Sequence, residues 1–154
     1  MDILVDTSVL GRLANADDPD HALASFAVME VYRRGDALRA AAQSFVEFRN
    51  FATRPVSANG LGLSVAVAEA RAEGLESLFP VLLDTEDIYP AWKVLADEAQ
   101  ATGKQVHDVR LVAICRVHGI SGILTFNVRH FRRLAAFVPG LAVLDPISLA
   151  APSS

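Results

Sequence analysis

The sequence predicts an α/β fold built around a parallel sheet. Residues 3–5, Ile-Leu-Val, form an aliphatic run without polar alternation, which is typical of a strand covered on both faces. Further short apolar runs recur along the chain, and segments with helical start and stop signals separate them. Strands that alternate with helices are joined by crossover connections, so we expect the strands to lie parallel.

Five apolar runs are expected to form the strands of this sheet. The second has the weakest pattern, and the last ends before Pro146. Because ligands of such sheets bind at the carboxyl ends of the strands, polar residues that follow these runs are the first candidates for function. The runs cover residues 3–5, 37–42, 79–83, 122–126 and 141–144.

Helices are expected between these runs. Their signals are the N-cap Asp20, the closing glycines Gly35 and Gly119, and the helix breaker Pro55. The expected helices cover residues 7–14, 20–35, 44–55, 61–77, 85 or 87 to 103, 107–118 and the short basic segment after residue 126.

Length and composition fit one globular domain. The chain has 154 residues, of which 52% are hydrophobic and 21% charged, as in ordinary compact folds. We expect one domain over residues 1–149 and a loose tail over residues 150–154. No run approaches the ~20 apolar residues that span a bilayer, the amino terminus lacks a secretory pattern, and the single Cys115 allows no internal disulfide. These features predict a cytoplasmic protein without a membrane partner.

Asp6 directly follows the first apolar run. A carboxylate at the end of a buried strand is costly to desolvate unless a metal ion or hydrogen-bond donors compensate its charge. The alternative is structural, because Asp6 is also a good N-cap for a helix that begins at Thr7.

Glu47 has a structural explanation as well. The spacing from Ser44 to Glu47 matches a capping box, in which the glutamate reaches back to the serine amide. However, Glu47 lies between Val46 and Phe48 in a mostly apolar helix start that follows a predicted strand. This position is also typical of a site residue.

Asp108 lies in the first turn of the predicted helix at 107–118, where its charge also suits the helix dipole. With Asp6 and Glu47 it forms a set of three carboxylates near helix starts, which converge in space in an α/β fold. Clustered carboxylates repel one another unless a cation lies among them, and oxygen ligands suit Mg²⁺ or Mn²⁺. The four histidines show no zinc spacing, and no glycine-rich phosphate loop is present.

The end of the fourth strand adds polar and cationic residues. Asn127 is a candidate to contact a metal-bound water, with helix N-capping as the alternative. The net charge of −4 gives no global basic field, so a nucleic acid would have to be bound by a local patch. Arg129, Arg132 and Arg133 are candidates for that patch, and the alternative is a solvated helix face.

Taken together, these motifs resemble the PIN-domain family and, within it, the VapC-type ribonuclease toxins of toxin–antitoxin pairs. The resemblance depends on the order and spacing of the motifs over about residues 1 to 145. The matching segments are residues 3–10 (ILVDTSVL), 45–48 (FVEF), 107–113 (HDVRLVA) and 123–131 (ILTFNVRHF).

The resemblance implies a three-layer α/β/α domain that hydrolyses RNA with Mg²⁺ or Mn²⁺. By position, Asp6 and Asp108 would be the metal ligands, and Glu47 would complete the acidic site directly or through a metal-bound water. It also implies an antitoxin partner and a homodimer, for which apolar residues such as Phe26, Val28 and Met29 are candidates; core packing explains these residues equally well.

The chain departs from the family pattern after the Thr125 strand. The family often has a further acidic residue there, and this chain has Asn127 and His130. A non-catalytic PIN-like module that binds RNA or protein is therefore the alternative function. A haloacid-dehalogenase-like phosphatase is a second alternative, but its chemistry needs an acid two residues after Asp6, where this chain has Ser8.

Overall fold

A computed structural model of the chain describes residues 1–151 and confirms the predicted α/β class. Every pairing of its five-stranded sheet is parallel. The elements in chain order are β1 (Asp2–Val5), α1 (Thr7–Leu13), α2 (His21–Arg33), β2 (Ala37–Ala41), α3 (Ala42–Thr53), a short 3-10 helix (Val56–Ala58), α4 (Val65–Leu78), β3 (Val81–Leu82), α5 (Ile88–Glu98), α6 (Gln105–His118), β4 (Gly122–Leu124), α7 (Val128–Ala135), β5 (Ala142–Leu144) and α8 (Pro146–Ala150).

The strand order is β3-β2-β1-β4-β5, so β1 occupies the centre of the sheet. The chain adds β2 and β3 on one side of β1 and later adds β4 and β5 on the other. This reversal makes β1 the topological switch point, where open parallel sheets form a crevice outside the carboxyl ends of their strands.

Helices cover both faces of the sheet, as the three-layer expectation required. Side chains alternate along β1, so Ile3 and Val5 join one apolar cluster and Leu4 joins the other. Residues of α1, α2, α3 and α4, with Leu149 of α8, belong to the first cluster, and residues of α5, α6 and α7 belong to the second. Cys115 is buried in the second cluster as a free thiol.

Several element boundaries differ from the prediction. The strand β3 covers two residues instead of five, and β4 ends at Leu124, two residues early. The helix α5 ends at Glu98 rather than Gly103, because Gln100 adopts a left-handed conformation with a φ of 49°. The predicted helix over residues 61–77 is α4 from Val65.

The C-terminal segment was predicted as a loose tail from residue 150, but Ala150 is the last residue of α8. Asp145 caps this helix by accepting a hydrogen bond from the Ile147 amide, and Pro146 stands at its start. Residues 152–154 of the expected tail lie outside the described residues. No helix within residues 1–151 combines the length and apolar character that crossing a membrane requires.

Candidate active site

The candidate active site lies at the carboxyl ends of the central strands. Asp6 follows β1 and Thr125 follows β4, and these two strands are hydrogen-bonded neighbours. The Asp6 amide continues the pairing by donating to the Leu124 carbonyl at 3.0 Å. Residues separated by more than a hundred positions are therefore adjacent at the end of the sheet.

Asp6 is held by two hydroxyl groups. It is 5% exposed, and its Oδ2 accepts hydrogen bonds from Ser8 Oγ at 2.6 Å and from Thr125 Oγ1 at 2.8 Å. Burial raises the pKa of Asp6, and these two hydrogen bonds oppose the rise. Asp6 occupies the N-cap position of α1, yet its carboxylate also joins α1 to the segment after β4.

Ser8 and Thr125 are site residues that the sequence prediction did not include. Ser8 Oγ accepts a hydrogen bond from the Phe126 amide at 3.1 Å, and Thr125 Oγ1 accepts one from the Asn127 amide at 2.9 Å. Each hydroxyl therefore connects a fixed backbone amide to the Asp6 carboxylate. One feature of the sequence could have identified them: both residues lie close to the end of a predicted strand, where a hydroxyl group can donate a hydrogen bond to a neighbouring carboxylate.

Glu47 is held by one hydrogen bond from α1 and one from within α3, so its interpretation as part of a capping box is wrong. The helix α3 begins at Ala42, which places Ser44 inside the helix, and within residues 1–151 the buried Ser44 Oγ has no hydrogen-bond partner. Instead, Glu47 Oε2 accepts from Thr7 Oγ1 at 2.8 Å and Oε1 accepts from Gln43 Nε2 at 2.7 Å. Glu47 is thereby directed toward the end of β1.

Gln43 connects Glu47 to the helix that carries Asp108. Its Nε2 also donates to the His107 carbonyl at 2.9 Å, and its Oε1 accepts from Arg110 at 2.9 Å. Arg110 in turn forms an ion pair with Asp84 at 3.1 Å. These contacts tie α3 to the first turns of α6.

Asp108 lies in the field of the other two carboxylates. Its pKa is raised to about 6, first by burial and then by the negative charges of Asp6 and Glu47. The His130 Nε2 lies 3.1 Å from Asp108 Oδ2, but the direction is not that of a hydrogen bond, since this nitrogen has no hydrogen-bond partner among the described residues. Burial, followed by the charge of Arg133, lowers the pKa of His130, so this ring is mostly neutral at pH 7.

An open cleft of about 630 Å³ lies over these groups. Three of the predicted site residues line it, namely Glu47, Asp108 and Asn127. Asn127 precedes α7 and makes no side-chain capping hydrogen bond within the described part of the chain. The rest of the lining is Val46, Asn50, Arg54, Lys104 and His107.

The predicted arginine patch lies elsewhere. Arg129, Arg132 and Arg133 are exposed on α7 and are not among the residues that line this cleft. Arg133 donates to the Gln105 side chain at 3.3 Å. The structure thus brings Glu47, Asp108 and Asn127 together in the cleft. Asp6 is not among the lining residues, but it is close enough for its charge to raise the pKa of Asp108.

The donor set suits a hard divalent cation in its chemistry. It consists of oxygen ligands, and within residues 1–151 neither Asp6 nor Glu47 forms an ion pair with a basic side chain. No three His, Cys, Asp or Glu residues of the described chain are gathered into a ready-made cage. Mg²⁺ does not require such a cage, because it keeps several waters and is commonly bound by one or two carboxylates.

The raised pKa of Asp108 leads to a testable pH dependence of stability. Between about pH 4 and pH 6 the Asp108 carboxyl binds more protons in the folded state than in the unfolded state, so its contribution to stability decreases as the pH rises through this range. Asp108→Asn removes the titrating group and should give a higher Tm than the wild type at pH 7. A difference of roughly 1 kcal/mol would shift Tm by about 2–4 °C in a domain of this size.

The measurement is Tm from pH 4 to pH 7 in EDTA for the wild type, Asp108→Asn and the control Asp17→Asn. Asp17 is exposed in the loop before α2, so its removal should leave the pH profile unchanged. If Tm depends on pH in the same way in Asp108→Asn and in the wild type, burial and the neighbouring carboxylates do not raise the pKa of Asp108.

Comparison with known proteins identifies the family and the fold. The family model described as the PIN domain matches residues 3–136. No curated protein sequence matches the chain. Among solved structures, VapBC2 from Rickettsia felis bound to a promoter DNA fragment has a TM-score of 0.69 at 11% identity, covering 94% of this chain and 98% of that chain.

Two further structures have the same fold. VapC20 from Mycobacterium tuberculosis, described as a sarcin-ricin loop cleaving toxin, has a TM-score of 0.62 at 21% identity, with 84% of this chain and 93% of that chain covered. A toxin–antitoxin complex from Klebsiella pneumoniae has a TM-score of 0.63 at 19% identity, with 94% and 97% covered. At identities this low, the TM-scores establish a shared fold and do not establish a shared activity.

Proposed function

Since this chain belongs to the PIN-domain family, we propose that it is a metal-dependent endoribonuclease that acts as the toxin of a toxin–antitoxin pair. The observation that supports the proposal is an open cleft lined by Glu47 and Asp108, with the buried Asp6 near enough for its charge to raise the pKa of Asp108. Mutual repulsion among these carboxylates contributes to the raised pKa of Asp108, as expected for a site that binds a cation.

In this proposal Asp6 and Asp108 hold Mg²⁺ or Mn²⁺. The bound cation supplies Lewis acidity toward a phosphodiester and lowers the pKa of a water molecule. The hydroxyls of Ser8 and Thr125 occupy Asp6 Oδ2 and so fix the orientation of this carboxylate. Such supporting hydrogen bonds help to set the affinity of a metal site.

Glu47 acts as the general base. Thr7 and Gln43 each donate to one of its oxygens, which fixes the carboxylate while leaving further lone pairs as acceptors. Glu47 takes a proton from the attacking water, and the water oxygen bonds to phosphorus. The bond from phosphorus to the leaving ribose oxygen breaks, and this oxygen keeps the electron pair and takes a proton from solvent. Asn127 lines the cleft as the fourth polar residue and orients the attacking water.

The partners in this proposal are RNA, a cognate antitoxin and a second copy of the chain. Arg129, Arg132 and Arg133 remain a predicted RNA contact. The structure of a toxin–antitoxin complex from Klebsiella pneumoniae with this fold supports an antitoxin partner. Phe26 and Met29 are 47% and 71% exposed on α2 and offer apolar surface to a protein partner, whereas Val28 is buried in the core.

The experiment is an RNA cleavage assay with the purified chain and defined metals. Cleavage of single-stranded and structured RNA is expected with Mg²⁺ or Mn²⁺, and EDTA should abolish it because the carboxylates alone lack the Lewis acid that the reaction needs. Restoring either metal in excess of EDTA should restore cleavage. Cleavage that continues unchanged in EDTA would contradict the proposal.

The alternative function is a PIN-like module that binds RNA or protein without catalysis. It is favoured by Asn127 in place of an acidic residue and by the absence, in residues 1–151, of a preformed three-residue metal group. Calorimetric titration with Mn²⁺ separates the two functions. RNA binding without Mn²⁺ binding and without cleavage would favour the alternative.

A further inference from the structure

Two cations line the same cleft as the carboxylates. Arg54 follows α3 and Lys104 precedes α6, fifty positions later in the chain, and both belong to the lining that contains Glu47, Asp108 and Asn127. No local sequence pattern relates Arg54 to Lys104, so only the fold reveals that they are neighbours of the acidic residues.

Neither cation is neutralised within the described residues. Ion pairs occupy six arginines of residues 1–151, whereas Arg54 and Lys104 form none; Arg71, Arg116, Arg129, Arg132, Arg133 and Lys93 are also outside the ion pairs of these residues. The paired arginines are Arg12, Arg33, Arg34, Arg39, Arg49 and Arg110. Arg54 and Lys104 differ from the other unpaired cations because they line the cleft that also contains Glu47 and Asp108, which makes them the candidates to bind an anion there.

Arg54 is held in place with donors to spare. Its Nη2 donates to the Asn59 carbonyl at 3.0 Å, and its guanidinium lies 6.0 Å from the centre of the Phe51 ring. A guanidinium has five N–H donors, and this is its one side-chain hydrogen bond within residues 1–151. The remaining donors on Nη1 suit a phosphate, which guanidinium groups bind through paired hydrogen bonds.

The basic and acidic side chains of the cleft do not form ion pairs with one another. Arg54 and Lys104 come no closer than 4 Å to the carboxylate oxygens of the described residues, because such a contact would be an ion pair. The carboxylates of the cleft are therefore available to a cation, and the two basic side chains are available to an anion. A phosphodiester chain that enters with a divalent metal meets both requirements.

We propose that Arg54 and Lys104 bind backbone phosphates of a single-stranded RNA next to the bond that is cut. This inference rests on the proposed ribonuclease function, and it assigns the principal phosphate contacts to the cleft rather than to Arg129 and Arg132 on α7. The RNA then runs from the carboxylates over the C-terminal end of α3.

Salt dependence of RNA binding tests this assignment. Each phosphate contact to a single strand contributes about 0.7 to the slope of log affinity against log salt concentration. Lys104→Gln and Arg54→Gln should each lower the magnitude of that slope by about 0.7 and weaken binding about fivefold, the upper range for an exposed ion pair. The measurement is fluorescence anisotropy of a short labelled single-stranded RNA in EDTA, with NaCl varied.

The chain offers matched controls. Lys93→Gln removes the other lysine, exposed on α5 outside the cleft, and Arg49→Gln removes an arginine of α3 that is paired with Glu69. Both should leave the salt slope unchanged. Arg54 also supports the turn at Asn59, so a loss in Arg54→Gln could come from that turn. Arg54→Lys keeps the positive charge and should retain the salt slope. Lys104 is exposed and, within the described residues, donates no side-chain hydrogen bond to the turn, so Lys104→Gln tests the proposal independently.

The outcomes separate this inference from the proposed function. Wild-type protein that binds RNA with the expected slopes but never cleaves it would refute the ribonuclease and leave the phosphate contacts standing. Wild-type protein that cleaves RNA while Lys104→Gln and Arg54→Gln retain the full slope would overturn the inference alone. A slope that falls instead in Arg129→Gln or Arg132→Gln, or a chain that binds no RNA, would also overturn the inference.

Discussion

Asp6→Asn is expected to reduce metal-dependent RNA cleavage by at least about a hundredfold. Loss of a residue that only supports a metal ligand typically costs 10–100-fold in metal affinity or activity, and Asp6 is proposed as a ligand itself. The measurement is the initial rate of RNA cleavage at saturating Mn²⁺, together with calorimetric Mn²⁺ binding. Relief of growth arrest by the same substitution on expression would link the loss to toxicity.

The folded state should tolerate this change. Burial raises the pKa of Asp6, which means that its charged form destabilises the fold at neutral pH, so an amide of the same shape should keep or increase Tm. Asp17→Asn makes the same chemical change in an exposed loop and should retain full activity. Wild-type rates in Asp6→Asn would remove Asp6 from the site.

Phe48→Ala is expected to lower the free energy of unfolding by about 3–5 kcal/mol. Phe48 is fully buried in the cluster between α3 and the sheet, and truncation leaves a cavity that the rigid surroundings fill only in part. Since small domains are stable by only about 5–15 kcal/mol, this loss is a large share of the total. Urea denaturation followed by circular dichroism gives the value.

Phe26→Ala is the matched control for this prediction. It removes the same atoms from α2, but its side chain is 47% exposed, so the loss should be less than half as large. Phe48 also follows Glu47 directly in α3, and we expect the cavity to loosen Glu47 and slow cleavage as well. An equal loss of stability in both variants would show that α3 is not packed as described.

The alternation of strands and helices could be predicted because apolar runs and helix-ending residues, which are local in the sequence, indicate each element. The run at residues 3–5 is apolar throughout since both faces of β1 are covered, and Gly119 ends α6 in the left-handed conformation that glycine favours. Asp6 was identifiable for the same reason, as a charge at the end of a buried run. The five-residue α8 was missed because a helix of that length has no periodicity to detect.

The parts of the site that depend on distant contacts could not be predicted. The capping pattern at Ser44 failed because β2 passes directly into α3 at Ala42, and a Thr7 hydroxyl forty residues away holds Glu47 instead. Thr125 shows the same limitation, since nothing in its own segment indicates that it will donate to Asp6. Sequence patterns therefore locate the carboxylates more readily than the residues that orient them.

The position of β1 at the centre of the sheet also bears on how the protein is made. The hydrogen bond between Asp6 and Thr125 joins residues 119 positions apart, so the ribosome adds Thr125 long after Asp6. At about 5–20 residues per second, roughly 6–24 s separate the two residues. The nascent chain therefore has an incomplete site throughout this interval. If the chain is the toxin proposed above, an antitoxin that is already present can bind it before the nuclease site forms.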